Sequence, residues 1–209
     1  MLGIQHFSAF LLACVALNLT PGLDTFYILA RSTREGRAAG IAAALGINAG
    51  CLVHTTAAVL GLSALLMASA YAFSILKYLG AAYLCWIGLG MLRSRSVLPA
   101  TTVTKGRGFR AALVQGLLTN VLNPKVALFY LAFLPPFISM HASHPRLALL
   151  ALGITFIGTG LCWSMVLAVL GARFQGALRA RPAVGTWTNR ICGTVLCAFG
   201  VGLALQRTQ

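Results

Sequence analysis

The sequence predicts an all-α integral membrane protein with six transmembrane helices arranged as two inverted three-helix repeats. Apolar runs of membrane-crossing length follow one another almost without pause, basic residues gather in alternate connections, and the two halves share motifs. Of the 209 residues, 59% are hydrophobic and only 9% are charged, against about 25% charged in an average soluble domain. Mean hydropathy is +0.87. A soluble domain of this length needs a polar shell that these residues do not supply.

The runs extend from His6 to Ala30, Gly40 to Ala68, Tyr71 to Leu92, Phe109 to Phe137, Arg146 to Ala172 and Asn189 to Leu205. About twenty apolar residues suffice to span a bilayer, so the longer second and fifth runs are expected to tilt or protrude. The first run lacks a preceding basic segment and a small-residue cleavage site, and it reads as a retained helix. The chain reads as a single membrane domain over 1–209. The first repeat covers about 1–98 and the second about 109–209, with a basic connection rich in Thr, Gly and Pro over about 93–108.

The 16 Lys and Arg against 2 Asp and Glu would suggest a nucleic-acid partner in a soluble protein. Their placement argues for the lipid bilayer instead and against nucleic acid. Arg31, Arg34 and Arg37 follow the first run, and Arg93, Arg95, Lys105, Arg107 and Arg110 follow the third. Arg173, Arg179, Arg181 and Arg190 follow the fifth, whereas the other side has only Lys77, Arg146 and Arg207 near membrane ends. By the positive-inside rule the basic connections are cytoplasmic and both termini lie outside a cell (inner) membrane crossed several times. Glu35, among the first basic cluster, reads as an ordinary surface charge.

Cys14, Cys51, Cys85, Cys162, Cys192 and Cys197 all fall in apolar runs without a CxxC pair, so they read as packing residues. No metal or cofactor is expected. Two carboxylates are too few for acid-base catalysis, and no enzyme constellation is present.

Asn18-Leu-Thr20-Pro21-Gly22 in the first run has a counterpart in Asn120-Val-Leu-Asn123-Pro124 in the fourth. The offset of 103 that takes Pro21 to Pro124 also takes Phe26-Tyr27 to Phe129-Tyr130, and an offset of 107 takes Leu45-Gly46-Ile47 to Leu152-Gly153-Ile154. Three helices per half make the repeats inverted, a common transporter plan in which broken helices meet at the substrate site. Proline removes an amide donor and crowds the preceding turn, so the helices should bend or open at Pro21-Gly22 and at Pro124.

Asp24 and Lys125 are charges inside apolar runs, each beside a break. A mid-bilayer charge costs about 2.5–3.5 kcal/mol on insertion scales, which marks both as functional candidates. Asp24 could bind a substrate ammonium, carry a proton, or pair with Lys125; Lys125 could anchor a substrate carboxylate or serve as a fixed counter-charge. At ~1.5 Å per helical residue the two lie past the midplane on opposite sides. A direct salt bridge does not follow from that geometry, and a polar cavity between the breaks would satisfy both. Asn18, Thr20, Asn120 and Asn123 add amides and a hydroxyl near the same breaks. Gly46 and Gly50 form a small-xxx-small face for helix packing. Asn48 and His54 lie on the same run, and Trp86, Trp163 and Trp187 read as core or interface anchors.

Asn18-Leu-Thr-Pro21-Gly22-Leu23-Asp24, Gly36-Arg37-Ala-Ala-Gly40-Ile41, Tyr83-Leu-Cys-Trp86-Ile-Gly88 and Asn120-Val-Leu-Asn123-Pro124-Lys125 together resemble the LysE/RhtB amino-acid exporters over nearly the whole chain. The resemblance implies secondary export of an amino acid or related small metabolite, driven by protons. The family's Pro-Gly-Pro pattern corresponds to Pro21-Gly22-Leu23, so the second proline is missing here. A transmembrane thiol electron carrier or a noncatalytic membrane subunit is the alternative. The carrier would need a cysteine pair at the breaks, yet the repeat equivalent of Cys14 is Leu117. A homo-oligomer is as open as a monomer.

Overall fold

A computed structural model describes residues 2–62, 70–93, 108–139, 142–180 and 182–205. Eight α-helices run through these residues: α1 Phe7–Leu19, α2 Leu23–Glu35, α3 Arg37–Ala57, α4 Ala70–Arg93, α5 Phe109–Val121, α6 Pro124–Phe133, α7 Pro145–Ala180 and α8 Pro182–Leu205. A π-helical turn, Ala58–Leu62, continues α3, and a 3-10 turn, Pro135–Phe137, follows α6. The described residues contain no strand beyond one isolated bridge between Ile4 and Ile138. The connection over 94–107 lies outside the described residues.

Both proline sites separate two helices. Thr20, before Pro21, has φ −67° and ψ 115°, and Asn123, before Pro124, has φ −78° and ψ 107°. The ring of a following proline clashes with a helical residue and forces this extended geometry. The axes turn by 50° between α1 and α2 and by 53° between α5 and the segment Pro124–Phe137. Arg37–Gly61 and Pro145–Gly171 are each long and apolar enough to cross a membrane, and each bent pair adds one more crossing if it forms a single span. The apolar stretches Ala81–Arg93 and Arg190–Gly202 in α4 and α8 are shorter.

The basic connections depart from the sequence reading. The first run continues to Glu35 instead of ending at Ala30, and α3 already starts at Arg37. Gly36 alone joins them, at φ +90°, where a side chain would clash with the backbone. Arg31 is therefore no loop residue: it is fully buried inside α2. Its guanidinium pairs with Glu35 one turn on, donates through Nε to the Tyr27 hydroxyl at 3.1 Å, and reaches Gln115 Oε1 of α5. Tyr27 passes the chain on to the Ala112 carbonyl at 2.9 Å. Glu35 is thus half of an ion pair, which corrects its reading as a plain surface charge. Arg34, Arg37, Arg93, Arg110, Arg173 and Arg190 are exposed. Likewise α7 runs on to Ala180 and α8 begins at Pro182, ahead of Asn189.

Small residues set the helix spacing. A Cβ built on Gly46 would lie 2.0 Å from the Leu113 carbonyl oxygen, and one on Gly116 would lie 2.6 Å from that of Ala43. The backbones of α3 and α5 touch there, and no side chain can be turned aside to make room. Gly46→Ala is expected to destabilise by about 3 kcal/mol through overpacking. Gly90 in α4 has nothing within 4 Å of its Cβ position, and Gly90→Ala should leave the melting temperature in detergent unchanged. Equal melting of the two variants would contradict this packing.

A second contact layer is aromatic. Phe129 stacks on Phe133 at 4.8 Å between ring centroids and packs on Phe156 at 4.5 Å, while Phe10 meets Phe137 edge-on at 5.2 Å. Dispersion between such rings holds helices together where lipid removes the hydrophobic advantage of burial. α1, α6 and α7 are tied together around the breaks in this way. Leu12, Leu60, Leu79, Trp86, Leu122 and Trp187 are exposed, as expected of a lipid-facing surface.

Candidate functional site

The two breaks meet. A cavity of about 60 Å³ is lined by Asn18, Thr20, Gly22, Asp24 and Thr25 from the first break and by Asn123, Lys125 and Val126 from the second. Asn48 and Cys51 of α3 and Phe156, Gly160, Trp163 and Ser164 of α7 complete it. That volume holds roughly four to six waters. A larger groove of about 630 Å³ runs between α1, the Pro135–Phe137 turn and α8, but its wall is almost wholly apolar. Convergent polar groups mark a binding site, and only the smaller chamber has them.

Each break supplies a charge that the other receives. Asp24 lies in the first turn of α2, where the unpaired amides at the helix start favour an anion. Its two oxygens accept from different side chains of the opposite break, Oδ2 from Asn120 Nδ2 at 2.8 Å and Oδ1 from Asn123 Nδ2 at 3.2 Å. Asn123 cannot turn its amide over. Its Oδ1 caps α6 by accepting from the Lys125 amide at 3.0 Å, so only its NH2 is left for Asp24. Asn120 is fully buried and lies against Gly50, whose Cβ position is 2.6 Å from Asn120 Oδ1. Gly50 therefore does more than pack helices: it admits the side chain that holds Asp24.

Lys125 lies in the first turn of α6, the unfavourable end of a helix for a cation. Its ammonium extends to the opposite break and donates to the Thr20 carbonyl at the end of α1, at 3.4 Å. The Cβ position of Gly22 is 3.5 Å from Lys125 Nζ, so the smallest residue stands where the ammonium passes. The negative end of α1 thereby offsets the positive end of α6. Asp24 and Lys125 form no direct ion pair, and both face the same cavity.

Two further carbonyls at the breaks have side-chain partners. His54 Nε2 lies 3.1 Å from the Asn120 carbonyl; a carbonyl only accepts, so this nitrogen carries the proton. The imidazole stacks on Tyr130 at 5.6 Å. Thr20 Oγ1 donates to the Ala16 carbonyl at 2.7 Å.

Asn18, Thr20, Asp24, Asn123 and Lys125 all line the chamber, and Asn120 reaches it through Asp24. Sequence reasoning missed the wall made by Thr25, Cys51, Phe156, Gly160 and Ser164, and it took Trp163 for an anchor. The one available signal was the Thr159-Gly-Leu-Cys-Trp163-Ser164 stretch, which places hydroxyls and a glycine in the middle of a long apolar helix. Of the six cysteines only Cys51 lines the chamber among the described residues, whereas a thiol carrier needs a pair there.

Helices broken at two facing points, with half-buried charges exchanged between them inside an apolar bundle, define a membrane translocator. Residues 15–207 match the LysE type translocators, and the chain belongs to that family. It is 31% identical over 207 residues to an uncharacterized membrane protein of Vibrio cholerae, covering 99% of this chain and all of that one. A leucine efflux protein of Klebsiella pneumoniae is 28% identical over 203 residues, covering 97% and 96% of the two chains, and one of Salmonella typhimurium is 27% identical over 209 residues with the same coverage. No solved structure matches the chain at a significant level.

Proposed function

We propose that this protein exports a small neutral amino acid by a secondary, proton-coupled mechanism, taking the substrate in the chamber between the two breaks. The observation that carries this reading is the reciprocal bonding of Asp24 and Lys125 across the breaks, which sets an anion and a cation beside one cavity. A zwitterion is favoured in a chamber whose field carries both signs of charge. The aliphatic walls, with Leu17, Ile28, Ile47 and Leu167, suit an uncharged side chain, and the leucine efflux relatives point the same way. The chamber is water-sized, so loading an amino acid requires the helices to part.

The fold reading completes to six spans in two inverted halves, with α1–α2, α3 and α4 in one half and α5–α6, α7 and α8 in the other. A contact between α4 and α8 supports it. Cys85 Sγ donates to the Cys197 carbonyl at 3.9 Å and Cys197 Sγ to the Cys85 carbonyl at 3.7 Å. A Cβ on Gly88 would meet Cys197 Sγ at 2.5 Å, and a Cβ on Gly200 would meet Cys85 Sγ at 2.5 Å. Two Cys-x-x-Gly segments touching reciprocally are what a two-fold axis between the third helices would produce. Basic connections face the cytoplasm and both termini face outward across the inner membrane. One charge crossing 100 mV supplies ~2.3 kcal/mol, which is enough for export against a moderate gradient.

The test is release of radiolabelled amino acids from proteoliposomes with and without a pH gradient. Saturable leucine release, accelerated by protons entering, is expected. Release no faster than from protein-free liposomes for every amino acid would overturn the reading.

A further inference from the structure

We infer that the α-ammonium of the substrate is held by two amide oxygens, Asn18 Oδ1 and Asn48 Oδ1, over Gly160, and not by Asp24. This deepens the export reading and rests on it.

The orientation of both amides is fixed by their other hydrogen bonds. Asn48 Nδ2 donates to the Ala44 carbonyl at 2.8 Å, one turn back on α3, and a carbonyl only accepts. Asn18 Nδ2 donates to Thr159 Oγ1 at 3.1 Å, while Thr159 spends its own proton on the Phe156 carbonyl at 2.9 Å. Flipping either amide would set acceptor against acceptor. Both Oδ1 atoms are therefore left as acceptors, and neither has a donor among the described residues. They converge: the Cβ position of Gly160 is 3.4 Å from Asn18 Oδ1 and 3.4 Å from Asn48 Oδ1. All three residues line the chamber.

Two unpaired oxygens from α1 and α3, aimed at a spot kept open by a missing side chain on α7, ask for a donor with several protons. A primary ammonium supplies three. Each Asp24 oxygen already has one donor, from Asn120 or Asn123, whereas the two amide oxygens have none, so the amide pair is the emptier acceptor. Lys125, at the opposite sign, is left to receive the carboxylate. The division puts the two ends of the zwitterion on different helices and frees Asp24 for proton transfer.

Purified protein is titrated with leucine, and binding is read by calorimetry in wild type, Asn48→Leu, Gly160→Ala and Asn48→Asp. Leucine affinity should fall at least tenfold in N48L, which removes an acceptor, and in G160A, whose methyl fills the spot at ordinary contact distance. In N48D, which keeps the oxygen and adds negative charge but sets its second oxygen against the Ala44 carbonyl, affinity should exceed that of N48L. N48D binding leucine more weakly than N48L would put the carboxylate at this spot and overturn the assignment, and so would unaltered binding by both N48L and G160A. Wild-type binding that requires sodium, with the requirement lost in N48L, would give the spot to a metal cation instead. If wild type binds no amino acid at all, the export reading fails and takes this inference with it.

Discussion

Asp24→Asn is expected to reduce export about a hundredfold while the protein still inserts and folds. Asp24 offers one acceptor oxygen to each of two amide donors, and an asparagine there has only one oxygen. The cap on α6 prevents Asn123 from turning its amide to compensate. Asn120 then either faces the new amide donor to donor or turns over and buries its own NH2 without an acceptor among the described residues, at a cost of about 1–3 kcal/mol, and Lys125 loses the anion that shares its chamber. A neutral side chain also cannot cycle a proton. The measurement is leucine efflux from proteoliposomes, with monodisperse elution in detergent as the folding control. Full efflux from correctly folded Asp24→Asn would remove this residue from the mechanism.

Arg31→Leu should lower stability by about 3 kcal/mol. Taking one partner from a buried ion pair strands the other, and here three groups depend on the guanidinium. Glu35 loses its counter-charge, Tyr27 loses a donor to its hydroxyl, and Gln115 of α5 loses its tie to α2. Glu35 stays partly exposed and can turn to water, which keeps the cost near the low end of the range. Arg31→Lys should recover only part of the loss, since an ammonium cannot reproduce the planar fork that serves three partners. Thermal melting in detergent checks both, and a wild-type melting temperature in Arg31→Leu would show the cluster to be dispensable.

The two variants probe features of very different visibility in the sequence. Asp24 stands out because a carboxylate inside an apolar run is costly wherever the chain folds, and Pro21 beside it guarantees a local break. The Arg31 cluster is invisible by the same logic. An arginine between apolar runs looks like a loop marker, and while Tyr27 and Glu35 lie one turn away on its own helix, its partner Gln115 comes from a helix far away in sequence. Asn48 and Gly160 are similar: each is ordinary alone, and only the fold brings Asn18 Oδ1 and Asn48 Oδ1 together over Gly160.

From the residues alone came an all-helical membrane protein, its breaks at Pro21 and Pro124, its charges within apolar runs and its family, because hydropathy, proline sterics and the cost of a charge in lipid are local properties. Only the tertiary structure decided that the breaks face one another, that each charge is received by the opposite break without a direct ion pair, and that α3 and α7 wall the chamber. Those outcomes depend on helix crossings set by glycine contacts such as Gly46 on Leu113 and Gly153 on Thr55. A crossing is a relation between two distant segments, and neither segment states it on its own.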